Sequence, residues 1–100
     1  MIDQNYYIGS DLKFKVDITA SGFDQDTDEY RIDVYCGNKK LTYTQNDVIK
    51  SGNDHYIMIN TDLLKTGVIK MVVTAVVNDS DFGSRREVET QTIGVIKSVI

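Results

Sequence analysis

Apolar and polar residues alternate with a period of two along most of this chain. In "DLKFKVDIT", Leu12, Phe14, Val16 and Ile18 alternate with Lys13, Lys15, Asp17 and Thr19, the pattern of an antiparallel strand with one buried face. "YRIDVYC" repeats it, with Tyr30, Ile32, Val34 and Cys36 set against Arg31, Asp33 and Tyr35. "GNKK" predicts a tight turn into "LTYT", and "KSGND" is a second turn cluster that leads into the strand "HYIMIN". In "VIKMVVTAVVN" the odd positions Ile69, Met71, Val73, Ala75 and Val77 are all apolar, and Val72 and Val76 lie on the other face. That segment is expected to be a central strand. "NDSDFGS" is the next turn, and "RREVETQTIGVIKSVI" predicts a long last strand in which Gly94 marks a bulge or bend.

Only "NTDLLKTG" departs from the period. Asn60 or Thr61 is placed to cap a single helical turn, and Gly67 to end it with a positive φ. The count is about seven strands with turn signals roughly every ten residues, and no amphipathic helix of useful length. The expected fold is all-β, a single immunoglobulin-like antiparallel β-sandwich domain over residues 1–100, with a small barrel as the alternative. With no Trp and one Cys, any immunoglobulin likeness is architectural.

Composition narrows the class. One hundred residues, 41% hydrophobic and 26% charged, suit one globular domain with a real core. A net charge of −4 gives no electrostatic footprint for nucleic acid. Cys36 is the single cysteine, so no internal disulfide is expected, which fits a reducing compartment at synthesis. "MIDQNYYIGS" lacks the basic and apolar regions of a signal peptide, and "MVVTAVV" is far too short to span a membrane. The chain is expected to be soluble and cytosolic when made.

The densest acid lies in "SGFDQDTDEYRI". Counted from Asp24, the EF-hand pattern fits at positions 1, 3 and 5, then fails where Glu29 and Tyr35 replace the required Gly and Glu. A two-loop calcium site would draw on Asp24, Asp26, Asp28 and Glu29 together with Asp79 and Asp81, since the two loops lie at one end of a sandwich. The alternative, and the expectation, is a pair of solvated acidic loops with no metal and no cofactor. Catalysis has little support. His55 is the single histidine and is expected at the surface beside a turn, Cys36 is expected in the core, and no nucleophile or phosphate-loop motif occurs. No enzyme activity is expected. Tyr35, Tyr43 and Tyr56 would share one sheet surface in a suitable register, a candidate protein- or glycan-binding face. Tyr6, Tyr7, Val99 and Ile100 make both termini apolar, so the ends are expected to pair with each other or with a neighbouring subunit.

"YYIGSDLKFKVDIT", "RIDVYCGN" and "NTDLLKTGVIKMVVTAVV" together resemble the small immunoglobulin-like domains of tailed-bacteriophage virion proteins, including those of crAss-like phages of gut Bacteroidales. The nearest pattern is the N-terminal domain of baseplate upper proteins. Its Gly–Asp start is matched by Gly9 and Asp11 with Ser10 between them, its corner by Asp62, Leu63, Thr66 and Gly67, and its acidic glycine turn by Asp79, Asp81 and Gly83. The one hundred residues are expected to be one domain with no following fibre or coiled-coil segment, a departure from that pattern. The resemblance implies a non-enzymatic structural protein of the virion, made in the host cytoplasm. Such a protein would be a head auxiliary or decoration protein, or a tail or baseplate adaptor. Its partners would be other virion proteins and copies of itself, with no nucleic acid and no membrane. The alternative function is a glycan- or surface-binding sandwich module, with or without calcium.

Overall fold

The structure is a computed structural model that describes residues 5–99. Those residues form eight strands: β1 (Asn5–Tyr7), β2 (Asp11–Lys15), β3 (Tyr30–Cys36), β4 (Lys39–Thr44), β5 (Ile49–Ser51), β6 (Asp54–Asn60), β7 (Gly67–Asp79) and β8 (Gly83–Lys97). They make two sheets, one in the order β1-β8-β7-β3-β4 and the other β2-β6-β5. The chain is all-β and two-layered, as a sandwich is. β3, β4, β6, β7 and β8 lie where the alternation places them. β7 is central, with β8 on one side and β3 on the other.

Three points differ from the sequence expectation. The strand from Leu12 stops at Lys15, because the β2–β6 ladder ends where Val16 donates its N–H to the His55 carbonyl (2.8 Å). Beyond it the chain crosses the core as a loop. Ile49 and the first two residues of "KSGND" form a three-residue strand, β5, that is wholly exposed and so carries no alternation signal. The termini do pair with each other, but β1 runs parallel to β8, with Asn5 opposite Val95 and Tyr7 opposite Lys97.

The core lies between the sheets. Val16, Ile57, Ile59 and Leu64 from one side meet Ile32, Val34, Ile69, Met71, Val73, Ile93 and Ile96 from the other, all buried. Ile93 reaches this cluster through a bulge: Ile69 faces Gly94 and Lys70 faces Thr92, which leaves Ile93 as the extra residue. Asp33 is a surprise. Alternation places it among outward polar residues, yet it is only 4% exposed. Its carboxylate accepts from the Thr42 hydroxyl (2.8 Å) and the Arg31 Nε (3.1 Å), and those bonds offset its desolvation.

Thr61 ties the two corners together. It opens a single 3-10 turn, Thr61–Leu63, whose cap is Asn60, with the Asn60 side chain accepting from the Asp62 N–H. The fully buried Thr61 hydroxyl accepts from the Gly9 N–H (3.0 Å) and donates to the Ser10 carbonyl (2.7 Å). Leu64 caps the turn, and Lys65 follows with a left-handed φ of 67°. Gly67 has the positive φ expected of it, 139°, but as the first residue of β7, and a Cβ there would meet the Cys36 Sγ at 3.1 Å. Gly67→Ala is therefore expected to destabilise the fold by about 1–3 kcal/mol through backbone strain. Urea melts check this. Adding Cys36→Ala should leave most of the loss in place, because strain and not the thiol contact is its main source.

Candidate interaction surface

The acidic run folds its own loop. The Asp24 side chain accepts from the Asp26 N–H (2.9 Å), and the Asp28 carboxylate accepts from the Asp24 N–H (2.8 Å). The Asp24 carbonyl accepts from the N–H groups of Thr27 and Asp28. Gln25 bridges within the loop, accepting from the Ile18 N–H and donating to the Val16 carbonyl. Asp26 anchors the loop to the smaller sheet. Its Oδ1 lies 2.8 Å from Lys50 Nζ and 3.0 Å from His55 Nε2, and the Lys50 ammonium, with His55 second, holds its carboxyl below the ordinary range. His55 is thus not a free surface side chain: only 12% of it is exposed. Glu29 accepts through its carbonyl from the Val76 N–H (3.0 Å).

The second acidic loop is equally self-contained. Asp79 Oδ1 accepts from the N–H groups of Asp81 (2.8 Å) and Phe82 (3.2 Å), while its Oδ2 meets Arg85 Nε (2.9 Å). The Asp81 N–H, then that of Phe82, then Arg85, hold the Asp79 carboxyl below its usual range. Asp24, Asp26 and Asp28 therefore do not converge with Asp79 and Asp81. No group of three or more His, Cys, Asp or Glu side chains gathers as a metal cage among the described residues. Cys36 is buried, and burial pushes its thiol pKa up, away from the reactive thiolate.

The tyrosines are divided by register. Tyr35 faces Lys40 on the outer surface of the larger sheet, with the Lys40 ammonium 5.9 Å from its ring. Tyr43 faces Ile32 on the inner side, and Tyr56 belongs to the smaller sheet. Only Tyr43 and Tyr56 come together. They line an open groove of about 650 Å³ with Lys13, Ile49 and Met58, between the β4 edge and β5–β6. Tyr6 packs against the core and Tyr7 is exposed on β1. Val99 is exposed beyond β8, and Ile100 lies outside the described residues.

Local backbone geometry explains the groove. β5 pairs with β6 only over Asp54–Tyr56, so beyond that point this side of β6 has no strand partner among the described residues. The His55 carbonyl points to β2, so strand alternation turns the Met58 carbonyl to the open side. There it accepts from the Tyr43 hydroxyl (2.7 Å). Met58 is 59% exposed and Ile49 71% exposed. Lys13 Nζ sits 4.4 Å from the centre of the Tyr56 ring, a cation–π contact, and has no carboxylate partner among the described residues. The 44–48 turn closes one end, where Asp47 accepts from the Thr44 N–H and hydroxyl.

A second exposed apolar feature lies elsewhere. Phe82 is 80% exposed at the β7–β8 tip. Neither it nor the groove stands out in sequence, because Phe82 sits in a turn cluster and the groove is assembled from four separate segments. The chain has no match among protein-family models, curated proteins or solved structures.

Two outcomes follow from this geometry. Because the folded Asp26 and Asp79 carboxyls titrate below their unfolded value near 3.8, they stabilise the fold fully above that pH and lose the effect as pH falls through their folded values. Asp79→Asn, which keeps an acceptor for the turn, should lower the thermal midpoint at neutral pH and flatten its acid decline. An unchanged slope would assign that decline to other groups. Thermal midpoints in calcium and in chelator should coincide, whereas a rise in calcium would reveal a site drawn from rearranged loops.

Proposed function

We propose that this chain is a non-enzymatic structural protein of a phage virion, immunoglobulin-like in topology, that works through protein–protein contacts. The strand order supports the topology. The run β8-β7-β3-β4 corresponds to a G-F-C sheet extended by C′, with β1 beside G, and β2-β6-β5 corresponds to B-E-D. The virion setting rests on the resemblance of the Gly9–Asp11 start, the Asp62–Gly67 corner and the Asp79–Gly83 turn to phage virion domains. It implies a head auxiliary, decoration or tail-adaptor role, with the virion as the final location and the host cytoplasm before assembly.

The observation that carries the contact reading is the groove. Ile49, Met58 and the Tyr56 ring flank an open strand edge, which suits a protein partner that supplies an apolar side chain. A sugar-binding reading fares less well here. Sugar stacking needs a free aromatic face, but Lys13 lies over the Tyr56 ring and the Tyr43 hydroxyl is already committed to Met58. The test is to follow the chain in lysates of its native source on a density gradient. It is expected to band with intact particles in fixed stoichiometry and to leave them only when they are dismantled. Recovery solely from the soluble fraction would overturn the virion assignment.

A further inference from the structure

The apolar features at the two ends of this chemistry are complementary. One is a protruding side chain and the other a groove that would receive one. Phe82 stands at the tip of β7–β8, and the Asp79 side chain fixes the turn that presents it. Beside it, Asp81 has no cation partner among the described residues. The groove offers the reverse: uncovered Ile49 and Met58, with the ammonium of Lys13 at the rim and unpaired by any carboxylate among the described residues. A methionine sulfur against an aromatic ring is a favourable contact, and a volume of about 650 Å³ is ample for one phenyl group.

The two features cannot meet within one chain. A fifteen-residue strand at ~3.3 Å per residue is about 50 Å long, so β8 must run along the 54 Å dimension of the molecule and not along the 28 or 24 Å ones. Phe82 therefore marks one end of the long axis. The groove opens on the flank formed by β4 and β5–β6, with β7 and β3 lying between β8 and β4 in the larger sheet.

We infer that the groove receives the Phe82 tip of a second copy of this chain, with Asp81 of the incoming tip meeting Lys13. The contact is heterologous: each copy uses one surface to give and another to receive, so copies join head to tail into a ring or an open row. This inference rests on the reading of the chain as a protein that works through protein contacts, and it names one partner. One aromatic anchor in one groove is smaller than a standard interface, so the association is weak in solution and gains from the high local concentration of an assembly.

Sedimentation velocity across about 10 µM to 1 mM chain tests it with two surface variants, Phe82→Ser and Ile49→Asp, both at highly exposed positions. Wild-type chain is expected to pass beyond dimer as concentration rises, and each variant alone to weaken association about tenfold or more. An equimolar mixture should form a heterodimer and go no further, because one intact tip and one intact groove remain. Asp81→Lys and Lys13→Glu should each weaken association, and the two together in one chain should restore it. A strictly monomeric wild type would overturn the inference, as would dimers of Ile49→Asp alone, which would mean tip-to-tip pairing. Phe82→Ser chain that still enters particles normally would also reject this contact while leaving the virion reading intact. Head-to-tail association by a chain absent from particles would do the opposite.

Discussion

The inward face of β7 must be covered along its whole length, and most of the molecule follows from how that is done. Ile69, Met71, Val73, Ala75 and Val77 are all buried. The three-stranded sheet is too small to cover them all. It packs over the part that includes Ile69, Met71 and Val73. Above that, the loop between β2 and β3 takes over, bringing Gly22 within 3.6 Å of the Val77 side chain if a Cβ is built there, and Phe23 edge-on to Tyr30. β8 shows the limit of the cover. Opposite Val77, Ala75, Val73 and Met71 it places Arg85, Glu87, Glu89 and Gln91, which keep contact with water.

This gives the acidic run a mechanical role. Its aspartates hold backbone N–H groups and clamp the loop to Lys50 and His55. A loop that replaces a strand as a lid has no ladder to satisfy its polar backbone. Short side chains that accept hydrogen bonds locally supply that need. Asp79 does the same for the β7–β8 turn.

Much of the fold was legible because one-sided burial imposes alternation. β3 and the odd positions of β7 carry it plainly. What stayed hidden was set by tertiary partners. β5 shows no period because both its faces are exposed. Asp33 is buried beneath neighbours on an outward face that alternation marks as polar. The tyrosine surface depended on register. The pairing that puts Tyr35 beside Lys40 and Tyr43 beside Ile32 sends those two rings to opposite faces, and only Tyr56 from the other sheet joins Tyr43. The groove depends on how far β5 extends along β6, a distance no local pattern records.

The parallel pairing of β1 with β8 also bears on the order of folding. It joins the first and last strands of the described chain, and β1 contributes only three residues to it. β7 and β8, by contrast, are joined by a tight turn and zip along almost their full length. Closing the longest loop in the chain brings little reward until the rest is in place. The hairpin is thus suited to form early, and the terminal clasp to be the last contact made and the first to open. A ribosome-bound chain cannot make that clasp until β8 itself has emerged.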